Sequence, residues 1–540
     1  MQDENNNSFF DSKSIIAILI VGLVWFGWQS YLTKKYPEYG KPKAPTAATT
    51  QTPAGTEGLA LTPNSATTAA TGNTEKPGAT LQLDQSKNQE IVEEKLIDYA
   101  SKNISFQISN FGMGLKNVKL NQYTDRENNL VSLGNDQLAG IFSFNLLGDV
   151  SRVVFSITQP AENVFVGEAT VGGVKISREM TVDAENYLLK NKISVSNIGE
   201  KYQGVQISIP DVKKETHSSW LMPSFDKQEF FLKHEDKATH IHVATDKEQE
   251  QKIDLVSIAA SSHQYFTTAI LDKSMIIPEA LLHDKKDHML LELQYKRSSS
   301  APDMTYEFMA YAGPKSFTQL DHIDKAMADI IDYGFFSMIA KVLLGFLQTI
   351  HQFVGNWGLA IIVLTLFVRL LVMPFNMASY RSMKKMQVIQ PLLQAVREKY
   401  KDDPTTMQKE TMAIMREKKV NPVGGCLPML LQMPVFFALY QALGQSIELY
   451  KAPFIFWISD LSLRDPYFVL PVIMGAAMYL QQKMTPSTMD PAQARIMQFM
   501  PIVFSLMMFT LPSGLTLYMS VTTIFSIMQQ YIFMKTNKTA

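Results

Sequence analysis

Cysteine occurs once in 540 residues, at Cys426, which excludes a disulfide framework within one chain and a cysteine-cluster metal site. Charge imbalance is also missing. Fifty Lys and Arg against 51 Asp and Glu leave a formal net charge of −1, which argues against a nucleic-acid partner recognised through a global basic field. Catalytic signatures are equally scarce. Gly112-Met113-Gly114 has no third glycine at the required place, no Gly-Lys-Ser/Thr phosphate loop exists, and His234-Glu235 lacks the second histidine of a zinc-protease helix. His240 and His242 would share one strand face, but with no further ligand cluster they read as a solvated pair. No enzyme activity, cofactor or metal is expected.

Hydrophobic residues are plentiful but segregated, lying mainly in 14–32 and in the last third. Segment 14–32 (SIIAILIVGLVWFGWQSYL) is uncharged and, as a helix, spans about 28 Å, close to the hydrocarbon thickness. Its acidic flank and the absence of small residues at Gln29-Ser30-Tyr31-Leu32 favour an uncleaved anchor over a signal peptide. Residues 33–90, rich in Pro, Thr, Ala and Gly, bury too little to offset the entropy of ordering and read as a flexible tether. Over 91–320, short alternating runs such as Ile104/Phe106/Ile108 and Val205/Ile207/Ile209 predict an antiparallel all-β sandwich.

Within 321–353, the residues Ser337, Lys341, Gly345, Gln348 and Gln352 form one polar stripe on an otherwise apolar helix, the pattern of an amphipathic helix in the headgroup plane. Packing against the β domain is the alternative. Apolar segments 354–375, 424–446, 466–482, 496–511 and 514–533 follow, which with the anchor makes six predicted spans. Segment 496–511 would cover only about 24 Å, and Pro471 interrupts 466–482, so both are short for a bilayer and would thin it. The loop 376–420 carries ten Lys and Arg, from Arg381 to Lys419, against five acidic residues and is therefore assigned to the cytoplasm. Lys34 and Lys35 point the other way and are outweighed. Parity then puts both termini inside and the β domain outside.

That loop has a helical period of its own at Met383, Met386, Ile389, Leu393, Val396 and Tyr400. Asp403 as cap and Pro404 at the first helical position begin a returning arm, so 376–420 reads as an antiparallel helical hairpin with a kink at Pro391. Met383, Met386, Met407 and Met415 would offer clients an adaptable apolar surface, or pack the two arms together.

The sharpest functional signal is Arg369 in LTLFVRLLVMPF. A cation near the middle of a span costs about 2.5–3.5 kcal/mol on insertion scales and marks a functional cavity, unless it snorkels to the cytoplasmic interface. Thr365 lies one turn earlier on the same face. Gln432, Tyr518 and Ser520 are further candidates to line such a cavity, although many intramembrane hydroxyls only bond their own or a neighbouring helix. The preceding stretch VNPVGGCLPMLLQMPVFFALYQAL joins the charged hairpin to an apolar span through Pro and Gly, and irregular backbone at membrane depth needs protein or water around it.

These residues, Asn421-Pro422, Gly424-Gly425-Cys426-Leu427-Pro428, Gln432-Met433-Pro434, Phe437-Ala438-Leu439-Tyr440 and Pro512-Ser513-Gly514-Leu515, closely resemble the YidC/Oxa/Alb membrane protein insertase family. The likeness runs from about Tyr311 to Tyr531. It implies a periplasmic β-sandwich in the cell inner membrane, a five-helix core and a groove open to cytoplasm and lipid with a positive charge at Arg369. Nascent membrane proteins, the Sec translocon, ribosomes and membrane lipids are the implied partners. Lys535 and Lys538 form only a short basic extension, which does not support ribosome docking through the carboxyl terminus.

The expected function is therefore insertion and folding of nascent membrane proteins through a hydrophilic groove. Two rivals stay open. A secondary transporter would use Arg369 as an anion site, and an internal repeat would favour it. An envelope scaffold or sugar-binding module would need 91–310, whereas an insertase would survive its deletion.

Overall fold

The structure, a computed structural model, describes residues 93–540 apart from 135–137, 149–151, 200, 214–227, 236, 244–247, 298–302, 421–426, 486–490 and 537–540. The predicted anchor at 14–32, most of the tether and the 421–426 part of the broken-helix motif lie outside the described residues.

Period-two patterning becomes antiparallel sheet. Strand Val174–Asp183 turns Val174, Ile176, Arg178, Met180 and Val182 inward, and pairs with Leu188–Ser196 in a register running from Lys175↔Ser196 to Asp183↔Leu188. Extended in both directions, this pair becomes a nine-stranded sheet from Lys237–His242 at one edge to Ser156–Ala161 at the other. Its strand Val256–Ser262 packs on three strands of a five-stranded sheet, Gly204–Val212, Glu279–Asp284 and His288–Lys296. Phe144, Tyr295 and Phe308 are among the large side chains fully withdrawn from water in this core. A four-stranded sheet starting at Leu96–Ala100 completes the β domain.

One core position is occupied by Arg178, fully buried and paired with no carboxylate among the described residues. Its Nη1 donates to the carbonyls of Gly112 and Phe142, both at 2.9 Å, and Nε and Nη2 donate to Asn191 Oδ1 at 3.1 and 2.8 Å. Burial pulls its pKa down to about 9. Placing it on the inward face follows from the strand period, but the carbonyls that satisfy it come from elsewhere in the chain.

The last strand, Asp303–Pro314, leads through Lys315 into α1 (Phe317–Ile323), a 3-10 turn (Met327–Ile330) and α2 (Ser337–Val354). Helix α2 buries Ala340, Leu344 and Leu347, while Met338, Val342 and Phe353 are exposed. Its polar stripe is engaged: Lys341 reaches Asp329 at 3.5 Å, and Gln348 donates to Glu448 at 3.1 Å. By length and mean hydropathy, α2 and the next helix are the two described helices able to cross a membrane.

Helix α3 (Trp357–Lys399) runs unbroken for 43 residues through Pro374 and Pro391. The kink or interruption expected at Pro391 is therefore not a break in the helix. A proline removes one ladder bond, and this turn is held by packing of Met386, Ile389 and Leu393 on Met415 and Val420 from the returning arm. That arm, α4 (Pro404–Glu417), starts as the sequence predicts: Asp403 Oδ1 accepts from the Thr405 and Thr406 amides, both at 3.1 Å.

Four more helices follow: α5 (Leu427–Gln445), α6 (Val469–Met484), α7 (Pro491–Met508) and α8 (Ser513–Thr536). Pro471 does not interrupt α6. It sits in the first turn, where a backbone N–H has no intrahelical acceptor. Buried Asp465 organises that end by accepting from Leu470 N at 2.7 Å, Tyr467 N at 3.1 Å and Trp457 Nε1 at 3.0 Å. Helices α6 and α7 pack closely because Gly475 presents no side chain to Ser505, whose Oγ donates to Pro471 O at 2.8 Å.

The α5–α6 connection is pinned to the β domain. Tyr450 packs on Tyr265 and Phe266 at ring-centroid distances of 5.0 and 5.8 Å and donates to Thr124 O at 2.9 Å. Gln264 donates to Gly444 O at 2.8 Å.

Candidate functional site

Helix α3 packs beside α5 and α8, and the polar residues of all three meet along that seam. Arg369 is only 7% exposed, so it does not snorkel freely into water. Tyr518 and Tyr380 lie within electrostatic range of its guanidinium. Among the described residues no carboxylate pairs with it, and its Nε is buried without a hydrogen-bond acceptor. A cation so placed is stabilised only by water, by the phenol dipoles or by an incoming anion.

Gln432 on α5 donates through Nε2 to the Tyr518 hydroxyl on α8, which ties two walls of the seam together. Tyr518 is 1% exposed and so contributes its ring to the wall and its oxygen to the Arg369 surroundings. The sequence-predicted set Arg369, Gln432 and Tyr518 thus comes together.

Thr365 and Ser520 do not join it as groove donors. Thr365 Oγ1 donates to Ile361 O of its own helix at 2.6 Å, and Ser520 Oγ donates to Thr516 O at 2.8 Å, with Leu470 O at 3.3 Å. In an apolar surrounding a hydroxyl takes the carbonyl one turn back, and once so used it has no free proton for a guest.

Sequence reading missed two residues further along the same faces. Asn376 follows Arg369 by seven residues, which restores the same side of the helix, and is 1% exposed with neither side-chain atom hydrogen-bonded among the described residues. Gln529 follows Tyr518 by eleven residues on α8 and is 7% exposed, again with both atoms unpaired among the described residues. The seven-residue repeat from Arg369 was a usable signal for Asn376. Nothing in the sequence distinguished Gln529 from Gln530, whose Nε2 donates to Met484 O at 3.2 Å.

Of the four methionines expected at the hairpin surface, Met386 and Met415 are 6% and 7% exposed and pack the two arms together. For these two, packing of the arms, the alternative the sequence left open, is the arrangement observed. Met383 and Met407 are half-buried and retain accessible surface.

A polar seam within an apolar helical core, joined to a large β domain and including two helices long and apolar enough to cross a membrane, is the architecture expected of a helical membrane protein. Comparison with known proteins sharpens this. Residues 97–346 match the family described as "YidC periplasmic domain" and residues 349–540 the family described as "60Kd inner membrane protein". The Membrane protein insertase YidC of Campylobacter jejuni is 32% identical over 98% of this chain and 97% of its own length. That of Geobacter sulfurreducens is 36% identical over 68% of this chain and 70% of its own. A crystal structure described as an active YidC insertase with its first transmembrane domain resolved aligns over 82% of this chain and 93% of that one, at 20% identity and a TM-score of 0.37. The chain belongs to the YidC family of membrane protein insertases.

Proposed function

We propose that this protein inserts nascent integral membrane proteins into the bilayer and helps them fold, using the α3–α5–α8 seam as a hydrated groove. One observation carries the reading: Arg369 is buried in an apolar core with its Nε unpaired and no carboxylate paired to it among the described residues. The polar flank of a client enters from the cytosolic side, is drawn toward Arg369, and its apolar segment slides out into lipid. About twenty apolar residues at roughly −0.3 to −0.6 kcal/mol each supply several kcal/mol, so the client provides the drive and no nucleotide is consumed. The groove lowers the barrier by hydrating the polar flank part-way across.

In this reading the chain has six spans, including 14–32 and α3 through Phe375. Both termini and the α3–α4 hairpin face the cytoplasm of a bacterial inner membrane, and the β domain faces the periplasm. The excess of Lys and Arg in 376–420 supports that orientation. Helix α2 lies at the outer interface, its apolar side (Met338, Val342) toward lipid and its polar stripe held by Asp329 and Glu448. Cooperation with the Sec translocon and transient ribosome contact belong to the same proposal, with clients meeting Met383 and Met407 on the hairpin.

Reconstituted insertion of a short-tailed client by Arg369→Ala protein at matched expression tests the reading. Insertion should fall by at least an order of magnitude, and unchanged insertion of every client would remove Arg369 from the mechanism.

A further inference from the structure

Asn376 and Gln529 are buried amides whose nitrogen and oxygen atoms all lack hydrogen-bond partners among the described residues. Two such residues in one seam require explanation, because an unpaired buried polar group is destabilising and an apolar residue of the same shape would relieve it. Their placement is fixed by a nearby contact. Tyr380 donates to Ser526 O at 3.4 Å and its ring lies 5.8 Å from that of Phe533. Asn376 is four residues before Tyr380 and Gln529 three after Ser526, so each amide is about one turn from that bond, on neighbouring helices. Asn376 lies about 10 Å along the helix axis from Arg369, and Gln529 about 16 Å from Tyr518, both displaced toward the charged hairpin.

The chemistry of the two stations differs from that of Arg369. A guanidinium offers donors only and selects negative charge, whereas a primary amide offers two donors and a carbonyl acceptor and is neutral. That complement matches the N–H and C=O of a peptide group, the one polar feature every extended chain repeats irrespective of sequence.

We infer that Asn376 and Gln529 form an entry track that holds the backbone of the client's extended polar flank between the cytosolic mouth of the groove and Arg369. This rests on the groove reading above and adds a second kind of recognition to it: Arg369 sorts flanks by charge, and the amide track accepts any flank.

Purified full-length protein in liposomes is given two single-span clients, identical except that one flank contains only Ser, Gly and Asn and the other also carries three Asp. With the double variant Asn376→Leu, Gln529→Leu, insertion of both clients falls by the same factor, about tenfold, while the unfolding temperature stays level or rises. The exchange Asn376→Gln, Gln529→Asn, which keeps both amides, retains most activity. Unchanged insertion of both clients by the leucine variant overturns the track. Should the leucine variant unfold, a photocrosslinking residue at 376 or 529 decides: adducts to the flank of a stalled client support the track, and adducts to lipid alone overturn it. Arg369→Ala is the separate arm. If it leaves both clients unaffected while flank adducts form at 376, the role of Arg369 falls and the track stands; if it impairs the acidic flank while the leucine variant inserts normally, only the track falls.

Discussion

Lys315 Nζ lies 3.6 Å from Glu229 Oε1, with both side chains withdrawn from water at the point where the β domain passes into the helices. Lys315 also donates to His263 O at 3.2 Å, and Glu229 has His240 and His242 at 3.4 and 3.5 Å. The two histidines that read as a solvated pair in the sequence instead bracket a buried carboxylate.

Breaking this pair should be costly. Lys315→Met leaves Glu229 short of its nearest full positive charge, and a loss of about 3 kcal/mol is expected, seen as a lowered midpoint in thermal unfolding of the full chain in detergent. Burial alone would raise the Glu229 pKa, but the close approach of His240 and the charge of Lys315 outweigh it and bring it down to about 2. A carboxylate held below its unfolded value stabilises the fold above pH 4.5 and loses that contribution as pH falls toward 2. In Glu229→Gln protein this acid sensitivity should be blunted; an unchanged acid midpoint would separate Glu229 from acid stability.

Asp272 behaves in the opposite sense. Burial lifts its pKa to about 6, although Tyr295 donates to it at 2.9 Å. Its folded-state value exceeds the unfolded one, so the penalty for ionising it is present above pH 6 and disappears as pH falls below 4. Asp272→Asn, which still accepts from Tyr295, should stabilise the protein by up to about 3 kcal/mol at pH 7.5 and by almost nothing at pH 4. Denaturant midpoints of wild type and variant at the two pH values measure this.

The Gln432–Tyr518 bond links α5 to α8. Tyr518→Phe and Gln432→Leu, singly and together, form a double-mutant cycle, in which a coupling of about 1 kcal/mol in unfolding free energy is expected. Additive effects would mean that the two residues stand on separate walls.

At the α6–α7 contact, a Cβ on Gly475 would meet Ser505 Oγ at 2.7 Å and Ser505 Cβ at 2.8 Å. Gly475→Ala should lower the unfolding temperature, and adding Ser505→Gly should recover part of the loss, less the bond to Pro471. A second-site gain distinguishes local crowding from a general effect of the new methyl group.

Much of the helical core was legible because each signal was local. Arg369 stands out in an apolar run, and Asp403-Pro404 announces a helix start that the cap hydrogen bonds repeat. Prolines misled where context overrode them: Pro391 lies inside a packed helix and Pro471 in a first turn. Methionines were ambiguous for a similar reason, since the period that puts Met386 on one face does not say whether a second helix covers that face.

By itself the sequence determined the periodicities, and with them the β domain, the apolar helices and the isolated cation, because strand and helix geometry repeat every two or 3.6 residues along one chain. Which polar groups face one another was decided only in three dimensions. Arg178 reaches carbonyls at Gly112 and Phe142, Gln432 meets Tyr518, and Asn376 and Gln529 are buried on neighbouring helices without side-chain partners among the described residues. Helical period fixes the direction a side chain takes from its own axis. The rotation and offset of one helix against the next come from close packing over the whole interface, to which residues distant in the chain all contribute.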